Sequence, residues 1–403
     1  MRTALILLAV GMVLAGAPQA CAQTAPAGAR TIALDARLAG DQRRTRLVVD
    51  LNKGVDFKAY LIANPYRVIV DLPEVTFDLP VIAGRHGRGL VTAYRYGLYA
   101  PGKARIVIDL REPALIDKAY IIPAQDDQPA RLVIDMLRTD AANFQKLAVV
   151  PERTQPPKAN PQKTAQQSDN RPLIVIDPGH GGIDPGARAN TGDEEKDIVL
   201  EVAKKLRDRL MKGGQYRVIM TRDEDRFVPL EDRVLVARTN NANLFISIHA
   251  DSLQRQAGAA LGATVYTVSE RASDLEAQRL ADDENRADQR VGHYLQNQPD
   301  DVANILFDLA HRETKNHSVL FARTLVGQLK GATRLHKTPQ KSAAFIVLKA
   351  PDVPSVLLEL GYLSSPADLK QLTSETWREK VAGAMTEAID KFFAQRQSVT
   401  VVR

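Results

Sequence analysis

Seven histidines occur in this 403-residue chain, and two of them end apolar runs: His180 in "LIVIDPGHGG" (173–182) and His249 in "FISIHADS" (245–252). An imidazole at the end of a buried strand, on a turn whose glycines let a ligand come close, is placed to bind a metal or a reacting group. His293, His311, His317 and His336 fall in helical or loop stretches, and His86 lies far upstream. His311 and His317 are six apart, so they share no helix face and form no H-E-x-x-H. Two histidines need an oxygen donor to make a catalytic zinc site, since Zn²⁺ binds imidazole and carboxylate and keeps a fourth position for water. "DEEKDIVLEVAKKL" (193–206) opens a helix close by and offers Glu194, Glu195 and Asp197. Acids at a helix start also complement its dipole, and residue type does not choose among the three. A hydrolase then needs a second acid to take a proton from water and return it to the leaving group. Glu359 sits inside the apolar run "SVLLELGYLSS" (355–365), where a carboxylate is costly unless paired or used.

The glycine turn "DPGHGG" also suggests a phosphate cradle. That reading fails on chemistry: there is no G-x-G-x-x-G and no G-x-x-x-x-G-K-[ST], and no lysine or hydroxyl follows the glycines.

The elements that must position these residues begin at Leu173. Apolar runs at 173–179, 216–222, 244–251, 262–269, 343–349 and 355–361 read as strands. Helical stretches at 197–211, 231–241, 301–330 and 375–393 alternate with them. Strands apolar on both faces, separated by amphipathic helices, predict an α/β domain with a mostly parallel sheet flanked by helices on both faces, over 171–396. Sites in such sheets form at the carboxyl ends of strands.

Residues 30–140 read differently. "RLVVDL" (46–51) returns as "RIVIDL" (105–110), "KAYLI" (58–62) as "KAYII" (118–122), and "YRVIVDL" (66–72) as "ARLVIDM" (130–136). Two alternating β units with no helical stretch predict a small all-β sandwich. Residues 141–170, with four prolines between 151 and 170 and little to bury, read as a flexible linker. Arg2, the apolar run 4–15 and Ala20-Cys21-Ala22 read as a signal peptide over 1–22, cut after Ala22. Pro18 stands where a lipoprotein signal wants an aliphatic residue, so no lipid anchor is expected at Cys21, the one cysteine. No other stretch is apolar enough to cross a bilayer, so an exported protein without membrane insertion is expected.

Residues 23–140 carry 17 Lys and Arg against 14 Asp and Glu, residues 141–170 carry 4 against 2, and residues 171–403 are balanced at 32 each. The basic excess lies toward the N-terminus, which suits an anionic envelope polymer. No dense basic cluster interleaved with aromatics supports nucleic-acid binding.

The region 30–140 resembles the AMIN domain of exported cell-wall amidases, which implies localisation by binding peptidoglycan. "VIDPGHGGIDPGA", "EEKDIVLEVAKKL", "FISIHADS" and "VLLELGYLSSPAD", in that order, resemble the catalytic domain of the zinc N-acetylmuramoyl-L-alanine amidases of type 3. The whole is similar to the AmiC-type members of Gram-negative cell division. The resemblance implies one Zn²⁺ held by His180, Glu195 and His249, with Glu359 as catalytic acid and base, and so selects Glu195 among the three acids. It implies periplasmic hydrolysis of the amide between N-acetylmuramic acid and L-alanine, for septal splitting. A zinc peptidase acting on stem peptides, or a wall-binding module without turnover, are the alternatives.

Residues 270–290, "ERASDLEAQRLADDENRADQR", hold 11 charged residues of 21, yet Ala277, Leu280, Ala281 and Glu284 share one helix face. The resemblance implies an autoinhibitory helix here, displaced by an envelope activator with a degenerate metallopeptidase-like domain. Glu284 is the candidate to occupy the open metal position, with Glu276 and Asp282 as rivals.

Overall fold

The computed structural model describes residues 30–63, 65–80, 83–100, 102–126, 128–148, 169–252, 261–291 and 305–400, with side chains omitted at 305–311 and 397–400. The signal peptide expected over 1–22 and most of the expected linker lie outside the described residues.

The N-terminal β domain has nine strands: β1 Thr31–Gly40, β2 Arg44–Leu51, β3 Lys58–Ile62, β4 Arg67–Pro73, β5 Val75–Phe77, β6 Val91–Ala100, β7 Lys103–Leu110, β8 Ala114–Ile122 and β9 Ala130–Arg138. They form a five-stranded sheet, β5-β1-β2-β9-β8, and a four-stranded sheet, β3-β4-β7-β6. The two sheets share one core, in which Leu47 and Ile134 of the first meet Val68 and Ile108 of the second. This is the expected sandwich. The repeated units do not fold as separate halves, however. β2 of the first unit pairs with β9 of the second, and β4 pairs with β7, so each sheet draws strands from both copies.

Helix α1, Ala141–Leu147, corrects the expected start of the linker. Asp140 caps it by accepting from the Asn143 N–H at 2.8 Å, and Phe144 is fully buried against Tyr66. One aromatic anchor thus draws this short polar segment into the sandwich core.

The C-terminal domain holds β10 Leu173–Pro178, α2 Glu195–Gly213, β11 Arg217–Met220, α3 Leu230–Thr239, β12 Leu244–His249, β13 Ala263–Val268, α4 Leu275–Glu284, α5 Ala287–Arg290, α6 Ile305–Leu329, β14 Leu335–Ala343, β15 Ser355–Glu359, α7 Pro366–Leu372 and α8 Glu375–Thr400. The sheet order is β11-β10-β12-β15-β13-β14, and every neighbouring pair is parallel except β13 with β15. On one face, Ile174, Ile246 and Leu358 pack against α2, α6 and α8 through Val202, Phe321 and Met385. On the other, Val175, Phe245 and Leu357 pack against α3 and α4 through Ala237, Ala277 and Leu280. Helices therefore cover both faces.

One strand was expected at 343–349. The strand is instead "LHKTPQKSA" (335–343), and Ile346–Leu348 form a 3₁₀ turn. The reason is position: β14 is an edge strand, where polar residues and Pro339 are tolerated. Phe345, Val347 and Leu348 are apolar because they fill the core beneath α3 and α4.

The two domains touch through the outer face of the four-stranded sheet. Ile62, Ile69 and Val107 pack with Ile183, Phe227 and Val291, and the Phe227 N–H donates to the Leu98 carbonyl at 3.1 Å. A Cβ on Gly182 would lie 2.0 Å from that carbonyl oxygen, and one on Gly97 would lie 2.5 Å from the Gly182 carbonyl carbon. Glycine at both positions lets the backbones meet.

Candidate metal centre

Three adjacent strands deliver the site. His180 follows β10, His249 ends β12 and Glu359 ends β15, with His249 and Glu359 in register across the parallel pair. All three lie at carboxyl ends, where the C=O-terminated edge of a parallel sheet opens a crevice. Glu195 enters from the first turn of α2 and is fully buried, whereas Glu194 pairs with Arg188 at 2.9 Å and Asp197 faces solvent.

The donor atoms converge. Glu195 Oε1 lies 3.1 Å from His180 Nε2 and 3.2 Å from His249 Nδ1, and the ligand atoms of these three residues all fall within 4.8 Å of one another. Two backbone amides hold the glutamate: Ala187 N–H donates to Oε2 and Ala250 N–H to Oε1, both at 2.8 Å. His180 Nδ1 meets Asp184 Oδ2 at 2.9 Å, which leaves Nε2 facing the other donors. A carboxylate behind a ligating imidazole fixes its tautomer and orientation. His180 itself has φ 56°, a left-handed backbone that costs a non-glycine residue energy and is held by its surroundings.

Those surroundings were not legible in the sequence. Arg233 donates to Asp177 Oδ1 (2.8 Å), Pro178 O (2.7 Å), His180 O (2.8 Å) and Val228 O (2.8 Å). Arg222 donates to Pro178 O (3.1 Å) and Gly179 O (2.7 Å). Two buried guanidiniums thus satisfy every carbonyl of the turn from 178 to 180. Asp177 in turn accepts from Thr221 Oγ1 and Ser247 Oγ.

The turn's glycines do not serve the ligand side, as the sequence suggested. A Cβ on Gly179 would strike His249 Cε1 at 2.4 Å, and one on Gly181 would strike Arg226 O at 2.2 Å. They clear neighbouring protein.

Glu359 is fully buried. Its Oε2 accepts from the Asp251 N–H at 3.1 Å, while Oε1 has no hydrogen-bond partner among the described residues. Burial raises its pKa well above the usual carboxylate range, and the charges of Glu195, Asp251 and Glu284 push it further. Asp251, also unmarked in the sequence, is pushed up to about 8 by burial and by Glu195 and Glu284. Burial opposes a charge on His180, but Glu195, Asp184 and Glu284 outweigh it and hold its pKa well above normal. Burial likewise disfavours the Glu195 carboxylate, but His180 and His249 hold its pKa well below normal. The donor set thus calls for positive charge among its ligand atoms, and two imidazoles with one carboxylate suit Zn²⁺.

Helix α4 lies over this centre. Its buried residues are Ala277, Leu280, Ala281 and Glu284, the face expected from the sequence. Glu284 Oε2 lies 3.3 Å from His249 Nδ1 and 3.6 Å from His180 Nε2. Of its rivals, Asp282 accepts from Gln278 on the exposed side, and Glu276 turns to Lys341 and Tyr362. The space left beside His180, His249 and Glu284 is ≈ 10 Å³, against the several hundred that a bound substrate needs. The C-terminal end of the covering segment is held by the β domain: Arg67 donates to Gln289 O, and Arg105 Nη1 to Val291 O at 3.0 Å.

Comparison with known proteins agrees with this architecture. Residues 174–391 match the model of the N-acetylmuramoyl-L-alanine amidase family, and residues 34–136 match the AMIN domain. N-acetylmuramoyl-L-alanine amidase AmiC of Escherichia coli O6:H1 is 31% identical over 87% of this chain and 87% of its own length. AmiC of Neisseria meningitidis serogroup B is 31% identical over 89% of each. AmiA of Escherichia coli K12 is 38% identical over 57% of this chain and 78% of its own. The chain therefore belongs to the N-acetylmuramoyl-L-alanine amidase family, as an AmiC-type member in which an AMIN domain precedes the amidase domain.

Proposed function

We propose that this chain is a zinc-dependent peptidoglycan amidase of the periplasm, exported by the signal at 1–22 and acting at the division septum. The observation that carries the reading is the convergence of His180 Nε2, Glu195 Oε1 and His249 Nδ1 beside the unpartnered Glu359 Oε1. His180, Glu195 and His249 would hold the ion. Zn²⁺ there supplies Lewis-acid polarisation of a carbonyl and brings the pKa of water beside it to about 7.

The chain's own groups do the rest. Glu359 Oε1 takes a proton from the water that attacks the lactyl carbonyl of N-acetylmuramic acid. As the C–N bond breaks, the same atom returns that proton to the departing amine of L-alanine. A carboxyl whose pKa is raised by burial holds a proton long enough to act as an acid near neutral pH. The Asp251 N–H fixes the other oxygen and so the direction of Oε1.

Glu284 keeps the centre closed at rest, and an envelope activator with a degenerate metallopeptidase-like domain draws the 270–290 segment away. The AMIN domain holds the enzyme to the wall. Mass spectrometry of digested sacculi tests the reaction. Intact stem peptides with free N-terminal alanine are expected. Cleavage within the peptides indicates a peptidase instead, and binding without solubilisation indicates a wall-binding module.

A further inference from the structure

Helix α4 makes a second carboxylate contact two turns upstream of Glu284, through Glu276, whose side chain is 27% exposed but whose partners are buried. Glu276 Oε1 accepts from the Tyr362 hydroxyl at 3.1 Å, and Oε2 accepts from Lys341 Nζ at 2.8 Å. His336 Nε2 lies 3.8 Å from the same Oε2, is buried, and has no hydrogen-bond partner among the described residues. The Lys341 side chain is fully buried, and those of His336 and Tyr362 nearly so. Asp274, the α4 N-cap, also reaches Lys341 at 3.2 Å, but its side chain is 41% exposed.

As a tether for a surface helix this arrangement is uneconomical. An exposed ion pair contributes little, whereas an ammonium taken out of water is costly unless its partner stays in place. A partner on a helix that must leave does not stay in place. Strand register gives the donors a different meaning. Tyr266 pairs with Lys341 on one side and Leu357 on the other, and Thr264 pairs with Glu359. Paired residues project to the same face, so Lys341, Tyr266, Glu359 and His249 line one face of the sheet, beneath α4. Glu276 and Glu284 are eight helical positions apart, a rise of about 12 Å. An extended peptide covers that distance in about three to four residues.

We propose that Lys341, His336 and Tyr362 form a carboxylate subsite for the peptide being cut, and that Glu276 fills it as a stand-in while α4 is seated. The inference rests on the amidase reading: the peptide leaving the metal centre bears free carboxylates within its first three residues. Glu284 and Glu276 then cover two points of one substrate path, the reacting end and an anchoring charge. Unseating α4 frees both at once.

Binding tests this without turnover. The full chain carrying E276A and E284A, with E359Q added to stop cleavage, is titrated with a fluorescent muramyl tripeptide and with copies in which each carboxylate is converted in turn to a carboxamide. One carboxamide is expected to weaken binding at least about tenfold, the loss of a charge-assisted hydrogen bond. K341M should abolish that difference, and Y362F, which keeps the ring, should reduce it. Equal binding of all the peptides overturns the subsite, as does an equal loss for carboxylate and carboxamide forms in K341M. The peptide series needs no variant at position 341, so misfolding of K341M leaves the test intact. Carboxylate-dependent binding by a chain that proves to cut elsewhere than at L-alanine would refute the amidase reading and leave the subsite standing.

Discussion

Glu284 Oε2 lies 3.3 Å from His249 Nδ1, as close as Glu195 Oε1 does at 3.2 Å. An acid from the covering helix α4 and an acid from α2 thus face the same imidazole. Removing Glu284 deletes a charge-assisted contact of about 1.5–3 kcal/mol and shifts the seated helix toward release roughly tenfold or more. E284A should therefore raise basal hydrolysis of labelled sacculi by about that factor without any partner protein. An unchanged basal rate would remove Glu284 from the restraint.

Asp184 stands behind His180 at 2.9 Å; burial disfavours its charge, but the His180 imidazole outweighs burial and holds its pKa well below the usual carboxylate range. D184N keeps the shape and loses the carboxylate that orients the ring. Metal affinity, read by competition with a chromophoric chelator, should fall about 10–100-fold with little change in melting temperature. A fall in melting temperature with metal affinity intact would make Asp184 a folding residue only.

Asp288 in α5 gives the covering segment a pH dependence. Burial raises its pKa to about 7; the Leu230 N–H and Arg233 oppose the shift, while Asp184 and Glu231 add to it. The folded pKa lies above the unfolded value of 3.8, so the folded state keeps the proton longer. Its contribution to stability is full below about pH 4 and is lost as pH rises through 7. Amide exchange of residues 287–291, corrected for intrinsic rates, should speed up between pH 5 and 8 in the wild type. The D288N profile should be flat, and identical profiles would exclude Asp288.

Arg67 and Arg105 hold the far end of the covering segment from the β domain, on Gln289 O and Val291 O. Arg105 also pairs with Asp71 at 2.6 Å and stacks on Tyr99 at 4.0 Å, so its loss disturbs the sandwich itself. Arg67 also pairs within the sandwich, with Asp109 at 3.0 Å, but stacks on no ring among the described residues, so R67A is the smaller change. It should speed exchange at 287–291 several-fold and raise basal hydrolysis by a smaller factor than E284A, because one neutral-acceptor bond contributes about 1 kcal/mol. Exchange unchanged in R67A would make the domain contact passive.

The sequence exposed those parts of the site that sit at strand ends. His180, His249 and Glu359 each break an apolar run, and a polar residue there has few structural explanations. Glu195 was not separable from Glu194 and Asp197 by type, because only its place in the first turn of α2, facing Ala187 N–H and Ala250 N–H, turns it inward. Arg222 and Arg233 were silent for the same reason: they donate to backbone carbonyls distant in sequence, which no local pattern records, and Asp251 meets Glu359 through its own backbone N–H, which residue type does not reveal. Strand β14 was hidden because an edge strand is read as polar loop, and the apolar run after it was buried as a turn rather than a strand. The repeat in the β domain predicted two similar units but not that their strands interleave, since register between distant strands is set by packing.

Release of dye from labelled sacculi by E284A, with and without chelator, beside the double variant E284A/E359A, tests the centre most directly. E284A should solubilise the wall in the absence of any partner, lose activity with chelator, and regain it with added Zn²⁺. E284A/E359A should be inactive while still binding the metal. Release that survives both the chelator and the loss of Glu359 would contradict the proposed centre.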